Sequence, residues 1–261
     1  MRLHGETLGA GPPLVLLHGW AMNLGVFDAL AAALAPHHTV TRLDLPGHGR
    51  SPWREGLGAD AAADWLLESL PERATLVGWS LGGQLALRMA ARAPARIARL
   101  VLLASTPRFL ATADWPHGLA AAALQGVAAG LARDPARTLE EFLELQVRGG
   151  AGAEAALATL HGALATHGAA RPQALAAGLD WLAAGDLRQL APALALPVLL
   201  VNGQNDRVTP PDAARAFAGL LPRARLVELR RAAHVPFLSH PAAVLAALQE
   251  FLAPAASGAA A

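Results

Sequence analysis

Short apolar segments alternate with longer amphipathic segments toward both ends of the chain. The short segments are apolar on both faces, which predicts buried strands of a mostly parallel sheet. They occupy residues 14–17, 40–45, 75–79, 100–104, 198–202 and 225–229. Between them, amphipathic stretches such as residues 27–34, 62–70 and 81–93 predict helices. This alternation is typical of a doubly wound α/β fold with helices on both faces of the sheet.

The alternation stops in the middle of the chain. Residues 107–190 are rich in Ala and Leu, contain no convincing strand and are too many for a loop inside a compact domain. We predict that they form a helical lid inserted at the C-terminal edge of the sheet, where ligands bind in open α/β folds. The alternative is extra scaffold helices that do not contact substrate. The predicted core then comprises residues 1–106 and 191–252, followed by a disordered tail at 253–261.

The composition excludes several kinds of chemistry. The 261 residues are 54% apolar, which is enough to fill the core of one large domain. Because Cys and Lys are absent, the chain has no thiol nucleophile, no thiolate metal site and no Schiff-base chemistry. The formal charge of +1 creates no strong field for nucleic acid or a membrane, and no signal pattern or bilayer-length apolar stretch is visible. We expect a cytoplasmic monomer with no nucleic-acid or membrane partner.

A candidate nucleophile lies between a predicted strand and a predicted helix. Residues 78–82 (GWSLG) fit the pattern G-x-S-x-G in that strand-to-helix context, with Ser80 at its centre. The turn is sharp, so glycine at positions 78 and 82 removes side chains that would collide. Ser80 also lies at a helix N-terminus, whose partial positive charge favours a developing anion.

A serine hydroxyl is a weak nucleophile at neutral pH and needs a base. Asp206 and His234 each follow a late predicted strand, so both should lie at the same sheet edge as Ser80. Taken singly, Asp206 could be a turn-capping carboxylate and His234 a surface histidine. Their joint order after the serine favours a triad. In it, His234 accepts the serine proton and Asp206 holds the imidazole in the correct tautomer.

An oxyanion hole is predicted beside the triad. The segment His18-Gly19-Trp20 follows the first strong strand, where one backbone N–H donor is expected, and the residue after the nucleophile supplies the second. We assign these donors to Trp20 and Leu81. For His18 we prefer a structural role over that of a second base. The Gly-rich residues 44–51 are also predicted to be structural, and no histidine spacing indicates a metal site.

The motifs HGW, DLPGHGRS, GWSLGG and AAHVPF, with the late Asp206, together resemble the α/β-hydrolase superfamily across the whole chain. Shorter segments more narrowly resemble the BioH family, carboxylesterases that remove the methyl group from pimeloyl-acyl-carrier-protein methyl ester in biotin synthesis. These segments are residues 105–109 (STPRF), 114–116 (DWP), 141–146 (EFLELQ), 186–189 (DLRQ) and 234–241 (HVPFLSHP).

The resemblance implies particular residue roles. Trp20 would line the acyl pocket, and Ser80, Leu81 and His234 would contact the ester. The lid wall along the pimeloyl chain would be formed by Phe142, Leu143, Glu144, Leu145 and Gln146. Methanol would leave after attack by Ser80, and water activated by His234 would free the carboxylate. No metal or organic cofactor is implied.

The resemblance also implies an acyl-carrier protein as a transient partner, docked through basic lid residues. Arg137 matches one such position, whereas Glu141 falls where the family can carry a basic residue. From residue 108 to residue 190 there are six Arg against eight acidic residues, so the lid is not basic overall. Either a local patch of Arg108, Arg133 and Arg137 suffices, or the carrier is gripped differently, or the substrate is a free small ester.

Other functions share parts of this pattern. The main alternative is a general carboxylesterase for short-chain esters. A C–C bond hydrolase or a cofactor-free haloperoxidase has the same triad. Hydrolases of this fold with an Asp nucleophile are disfavoured by Ser80. A non-catalytic receptor of this fold is disfavoured because such proteins often lose a triad member, and here each part is present.

Overall fold

A central seven-stranded sheet organises the molecule in the computed structural model, which describes residues 1–253. The strands are β1 (Gly5–Leu8), β2 (Pro13–Leu17), β3 (Thr39–Leu43), β4 (Ala74–Trp79), β5 (Ile97–Leu103), β6 (Val198–Gly203) and β7 (Ala224–Leu229). Their order across the sheet is β1-β3-β2-β4-β5-β6-β7. Strand β1 pairs antiparallel with β3, and every other pairing is parallel. The predicted mostly parallel sheet is therefore confirmed.

Helices cover both faces of this sheet. They are α1 (Asp28–Leu34), α2 (Ala59–Glu68), α3 (Leu81–Arg92), α4 (Ala121–Arg133), α5 (Pro135–Val147), α6 (Ala153–His167), α7 (Pro172–Ala184), α8 (Pro211–Ala218), α9 (Pro236–Ser239) and α10 (Pro241–Leu252). A hydrophobic core lies on each face of the sheet, and alternate residues of β2 point into one or the other. Val15 and Leu17 pack with α2 and α3, while Leu14 and Leu16 pack with α1 and α10. Two buried faces explain why the central strands are continuously apolar.

The sequence pattern did not predict the first strand. Strand β1 is a short edge strand whose residues alternate between exposed and half-buried. An edge strand of four residues carries too little apolar signal to stand out from a loop. The predicted disordered tail lies outside the described residues, except for Ala253.

Residues 107–190 contain helices α4 to α7 and lie between β5 and β6. We call this segment the lid. Its two ends meet in an antiparallel bridge between Arg108 and Asp186, whose side chains also form an ion pair. The guanidinium groups of Arg188 and Arg108 hold the pKa of Asp186 well below its usual range. The contact between Arg108 and Asp186 therefore joins the two ends of the lid, where the chain leaves the core and returns to it. We call this contact the lid clasp.

Candidate active site

Ser80 lies on a tight turn between β4 and α3. Its backbone has φ 54° and ψ −119°, a strained combination for a residue with a side chain. Two hydrogen bonds hold the turn: Ser80 N donates to Leu103 O at 3.0 Å, and Ser105 Oγ donates to Ser80 O at 2.8 Å. The strain is therefore balanced by contacts with the last residue of the neighbouring strand β5 and with Ser105, which follows it.

The two glycines of the motif are required by close backbone approach. A Cβ on Gly78 would lie 2.5 Å from Gly82 O, and a Cβ on Gly82 would lie 2.3 Å from Leu17 O. Both distances are far below van der Waals contact with backbone atoms that cannot move independently. A side chain at either position would therefore collide with the backbone, which is the reason that the sequence analysis gave for the two glycines.

The three predicted catalytic side chains meet at the C-terminal edge of the sheet. His234 Nε2 lies 3.0 Å from Ser80 Oγ, and His234 Nδ1 lies 2.9 Å from Asp206 Oδ2. All three residues are at most 8% exposed. With Asp206 accepting from Nδ1–H, Nε2 presents its lone pair to the serine hydroxyl, which is the arrangement that a general base requires.

The Asp206 carboxylate is held by donors on both oxygens. Oδ1 accepts from Val208 N at 2.8 Å and from Thr209 N at 2.9 Å, while Oδ2 accepts from Thr209 Oγ1 at 2.8 Å. Asp206 therefore caps its turn and orients His234 at the same time. Sequence analysis missed Thr209, although an Asp followed three residues later by Thr after a strand is a recognisable capping pattern.

His234 is anchored through its main chain from two directions. Trp79 Nε1 donates to His234 O at 2.8 Å from inside the sheet. From the lid side, Gln146 O accepts from His234 N at 2.9 Å. A catalytic histidine fixed at both backbone groups can keep its imidazole aligned while the proton moves.

Two buried backbone amides near the turn at Ser80 have no acceptor among the described residues. Leu81 begins α3, so its N–H has no acceptor within the helix. Within residues 1–253, neither Leu81 N nor Trp20 N donates to a protein acceptor, although both residues are buried. Buried N–H groups without partners are costly, and a developing negative charge on a substrate oxygen would satisfy both.

His18 has a structural role, as predicted. Its Nε2 accepts from Leu45 N at 2.9 Å, and its Nδ1 donates to Gly19 O at 2.8 Å. Desolvation lowers the pKa of His18 to about 4, so the ring stays neutral. Asp44 makes a second contact between the same two segments, because its carboxylate accepts a hydrogen bond from Leu24 N at 2.8 Å. These contacts hold residues 44–51 against the loop that carries Trp20.

A narrow apolar cavity of about 70 Å³ opens above Ser80. Trp20 forms one wall: its Nε1 donates to Leu175 O at 2.9 Å, and its ring packs edge-on against Phe142 at 4.9 Å. The residues that line the cavity are Trp20, Ser80, Phe109, Leu119, Ala123, Leu124, Val127, Phe142, Leu145, Leu179, Leu182 and Val208. Apart from Ser80, every lining side chain presents apolar surface.

Of the five lid residues predicted to form the wall, Phe142 and Leu145 line the cavity. Leu143 instead packs in the core on the α1 side of the sheet, and Glu144 is exposed on the outer face of α5. Gln146 is buried and reaches the site through its main-chain bond to His234. A continuous stretch cannot face one cavity, because a helix turns each successive side chain by about 100°.

Sequence analysis missed the lining from α4 and α7. Their apolar residues recur at helical spacing, but the pattern alone does not say whether a face meets the cavity or the core.

Among residues 1–253, no group of three or more His, Asp or Glu side chains is arranged to hold a metal ion. None of the helices in this part of the chain combines the length and apolarity that crossing a bilayer requires.

A surface groove of about 560 Å³ runs between α4 and α5 and shares Ala123, Val127, Phe142 and Leu145 with the cavity. Arg133 and Arg137 also line this groove. Arg137 pairs with Glu141 at 2.8 Å on the same helix. Arg108, the third residue of the predicted patch, lies elsewhere, because it is bound to Asp186 at the lid clasp.

Comparison with known proteins relates this chain to esterases. The alpha/beta hydrolase fold family matches residues 12–241. The chain is 44% identical over 252 residues to a pimeloyl-[acyl-carrier protein] methyl ester esterase of Chromobacterium violaceum, covering 97% of this chain and 98% of the relative. A protein of the same name from Nitrosomonas europaea is 44% identical, with 92% and 95% covered.

Solved structures give the same fold. An esterase from Exiguobacterium antarcticum superposes with a TM-score of 0.87 at 22% identity, covering 95% of this chain and 94% of that one. A bromoperoxidase from Bacillus anthracis superposes with a TM-score of 0.86 at 25% identity, with the same coverage. The fold is therefore shared by enzymes of different activity, and the function has to be argued from the site.

Proposed function

Because the chain belongs to the α/β-hydrolase family and, within it, to the pimeloyl-[acyl-carrier protein] methyl ester esterases, we propose that it hydrolyses the methyl ester of pimeloyl-acyl-carrier protein in biotin biosynthesis. The chain is a serine esterase. The observation that carries the proposal is a complete triad beneath an apolar cavity, in a chain 44% identical to proteins of that name over nearly its full length.

Acylation begins at Ser80. His234 Nε2, at 3.0 Å, accepts the hydroxyl proton as Oγ attacks the ester carbonyl. The carbonyl oxygen becomes negative and is stabilised by the N–H groups of Trp20 and Leu81, where each such donor typically contributes about 3 kcal/mol. Asp206 stabilises the imidazolium. His234 then protonates the departing methoxide, and methanol leaves an acyl-Ser80 intermediate.

Deacylation repeats these steps with water. His234 accepts a proton from the water that attacks acyl-Ser80, and the same two N–H groups stabilise the second oxyanion. Collapse of this intermediate returns the proton to Ser80 Oγ and releases the pimeloyl carboxylate on its carrier. No metal or organic cofactor takes part in the proposed reaction.

The cavity supports a methylene chain as the acyl part of the substrate. Its apolar walls favour such a chain by about 0.8 kcal/mol for each CH₂ that leaves water. With the ester at Ser80, the chain would pass Phe142 and Leu145 and continue into the groove between α4 and α5. This route leads outward to the lid surface, where a carrier-bound arm can reach it.

We propose the lid surface around Arg133 and Arg137 as the docking site of the acidic carrier, with Arg108 as its weakest member. The position of the first two along the groove supports this assignment. Arg108 contributes least, because its guanidinium is committed to Asp186. Exposed charges of this kind mainly increase the rate of encounter.

We further propose that the enzyme works in the cytoplasm as a monomer and binds no nucleic acid. All groups of the site come from one chain: the triad, both oxyanion donors and the cavity lining. No second subunit is therefore needed to complete it.

The deciding experiment supplies the purified protein with pimeloyl-acyl-carrier-protein methyl ester and measures release of methanol. We expect turnover, and rescue of a biotin-requiring strain that lacks its own pimeloyl methyl esterase. Hydrolysis of p-nitrophenyl butyrate without either result would favour the general carboxylesterase. The ion pair between Arg137 and Glu141, which reduces the local positive charge of the lid, is the observation that keeps this alternative open.

A further inference from the structure

One short segment of the lid contacts both loops that carry the catalytic acid and base. This segment is the connection between α5 and α6, residues 148–152, which we call the α5–α6 connection. We call residues 204–209 after β6 the acid loop, because they include Asp206. Residues 230–235 after β7 are the histidine loop, because they include His234.

The acid loop is tied to the connection through Asn205, the neighbour of Asp206. Asn205 Nδ2 donates to Gly149 O at 2.6 Å, and no other side-chain hydrogen bond of Asn205 is present in residues 1–253. Because Asn205 is exposed, its side chain adds little to the core. This hydrogen bond joins the lid to the acid loop.

The histidine loop is tied to the same part of the lid at three points. Ala151 N donates to Arg231 O at 2.7 Å, and His234 N donates to Gln146 O at the end of α5. Arg231 has φ 57°, in the left-handed region that residues with a side chain rarely adopt. Gly150 lies so close that an added Cβ would meet the Cβ of Ala233 at 3.0 Å.

The two loops are also joined to each other, since Asn205 N donates to Ala232 O at 2.8 Å. The lid connection, the acid loop and the histidine loop therefore form a closed triangle of main-chain and amide contacts. The bond of 2.9 Å between Asp206 and His234 lies beside this triangle. A shift of the α5–α6 connection would therefore pull on both of the loops that carry the catalytic acid and base.

We propose that Asn205 is a positioning residue which, together with the α5–α6 connection, sets the alignment of Asp206 with His234. The triad is then aligned only when the α5–α6 connection of the lid is in contact with both catalytic loops. A lid raised at this end releases the contacts from Gly149, Ala151 and Gln146 to the catalytic loops. The inference concerns the triad chemistry itself and applies to any ester, so it does not depend on the carrier-bound substrate.

Two substitutions test the triangle from different sides. Asn205→Ala removes the amide donor without touching a catalytic residue, and Gly150→Ala pushes a methyl group against Ala233. With p-nitrophenyl butyrate, we expect kcat to fall about fivefold for Asn205→Ala, the equivalent of one lost hydrogen bond. For Gly150→Ala we expect a loss of about tenfold, because small misplacements of catalytic groups are costly. KM should change by less than about twofold in both, since the cavity lining is untouched.

Matched controls separate positioning from general damage. Gln249→Ala truncates another exposed amide side chain, on α10 and outside the three contacting segments, and Gly162→Ala adds a methyl group to the lid in open space on α6. Both should retain wild-type kcat. The proposal is overturned if Asn205→Ala keeps wild-type kcat, or if its KM rises while kcat stays constant. If Gly150→Ala does not fold, Asn205→Ala decides alone, because it truncates only an exposed side chain.

Discussion

We call the triad at the C-terminal edge of the sheet the catalytic rim. Its polar groups and those on the outer surface of the lid find hydrogen-bond partners in different ways. At the rim, Ser80, Asp206 and His234 are buried and each polar side-chain atom has a protein partner. On the lid, the side chains of Arg137 and Glu141 are 76% and 60% exposed and pair with each other in water. One region is held in a single geometry, whereas the other can exchange partners.

This difference assigns the two regions to different stages of the reaction. Hydrogen bonds in a water-poor site keep the catalytic groups in place while charge develops, so changes there should act on kcat. Exposed ion pairs contribute about 0–1 kcal/mol and are screened by salt, so changes on the lid should act on association with a charged partner. Four predictions test this contrast, beginning with the largest expected effect.

Removing the nucleophile should abolish catalysis without unfolding the protein. Ser80→Ala is expected to lower kcat for p-nitrophenyl butyrate by at least about 10⁴-fold, because both covalent steps need the hydroxyl. Stopped-flow or endpoint assays of p-nitrophenol release measure the loss, and Ser69→Ala at the end of α2 serves as the control. Turnover by Ser80→Ala at near wild-type rate would remove the proposed mechanism.

Acid should weaken the loops that support the rim. Desolvation lowers the pKa of His18 to about 4 and, with the nearby charge of His18, that of His48 to about 3, against an ordinary value of 6.5. Below pH 6.5 the unfolded chain binds protons that the folded rings do not. The free energy of unfolding should therefore fall between pH 6.5 and pH 4 by about 1.4 kcal/mol per pH unit for each ring at most.

Urea unfolding at pH 7, 5.5 and 4.5 measures this loss. His48→Gln should be less stable at pH 7 but should show a shallower decline with acid, because one of the two buried rings is gone. An equal decline in the variant and the wild type would show that these histidines do not cause the acid sensitivity.

The support of Asp206 by Thr209 should have an intermediate effect. Thr209→Val removes the hydroxyl that donates to Asp206 Oδ2 at 2.8 Å but keeps the shape of the side chain. A hydrogen bond to a charged group is worth about 1.5–3 kcal/mol, so kcat should fall about tenfold to a hundredfold. Thr209→Ser keeps the donor and should retain most of the activity; equal losses in both variants would contradict the assigned role.

Charge reversal on the lid should have the smallest effect and should depend on the substrate. Arg137→Glu is expected to lower kcat/KM for the carrier-bound ester about fivefold at low ionic strength, with the difference shrinking as salt is added. Hydrolysis of p-nitrophenyl butyrate should not change. Arg223→Glu makes the same charge change at an exposed site away from the groove and should leave both rates unaltered. Equal losses on both substrates would argue against docking at Arg137.

The catalytic residues could be found from sequence because each follows a strand in a recognisable local pattern. The pattern G-x-S-x-G identifies Ser80 in the turn after β4. Asp206 follows β6 and His234 follows β7, at the same edge of the sheet. By contrast, nothing local separates Arg108 from Arg137. The first is bound at the lid clasp to Asp186, 78 residues away in the chain, and the second lines a groove.

The sequence by itself therefore determined the parallel sheet, the sharp turn at Ser80 and the order of the triad, because burial on both faces and tight turns constrain neighbouring residues. Only the tertiary structure decided which faces of α4, α5 and α7 meet the cavity, and how residues 148–152 contact the two catalytic loops. A helix carries the same apolar spacing whether it faces a core or a ligand. Contacts between distant segments depend on how the helices pack, which no short stretch of sequence encodes.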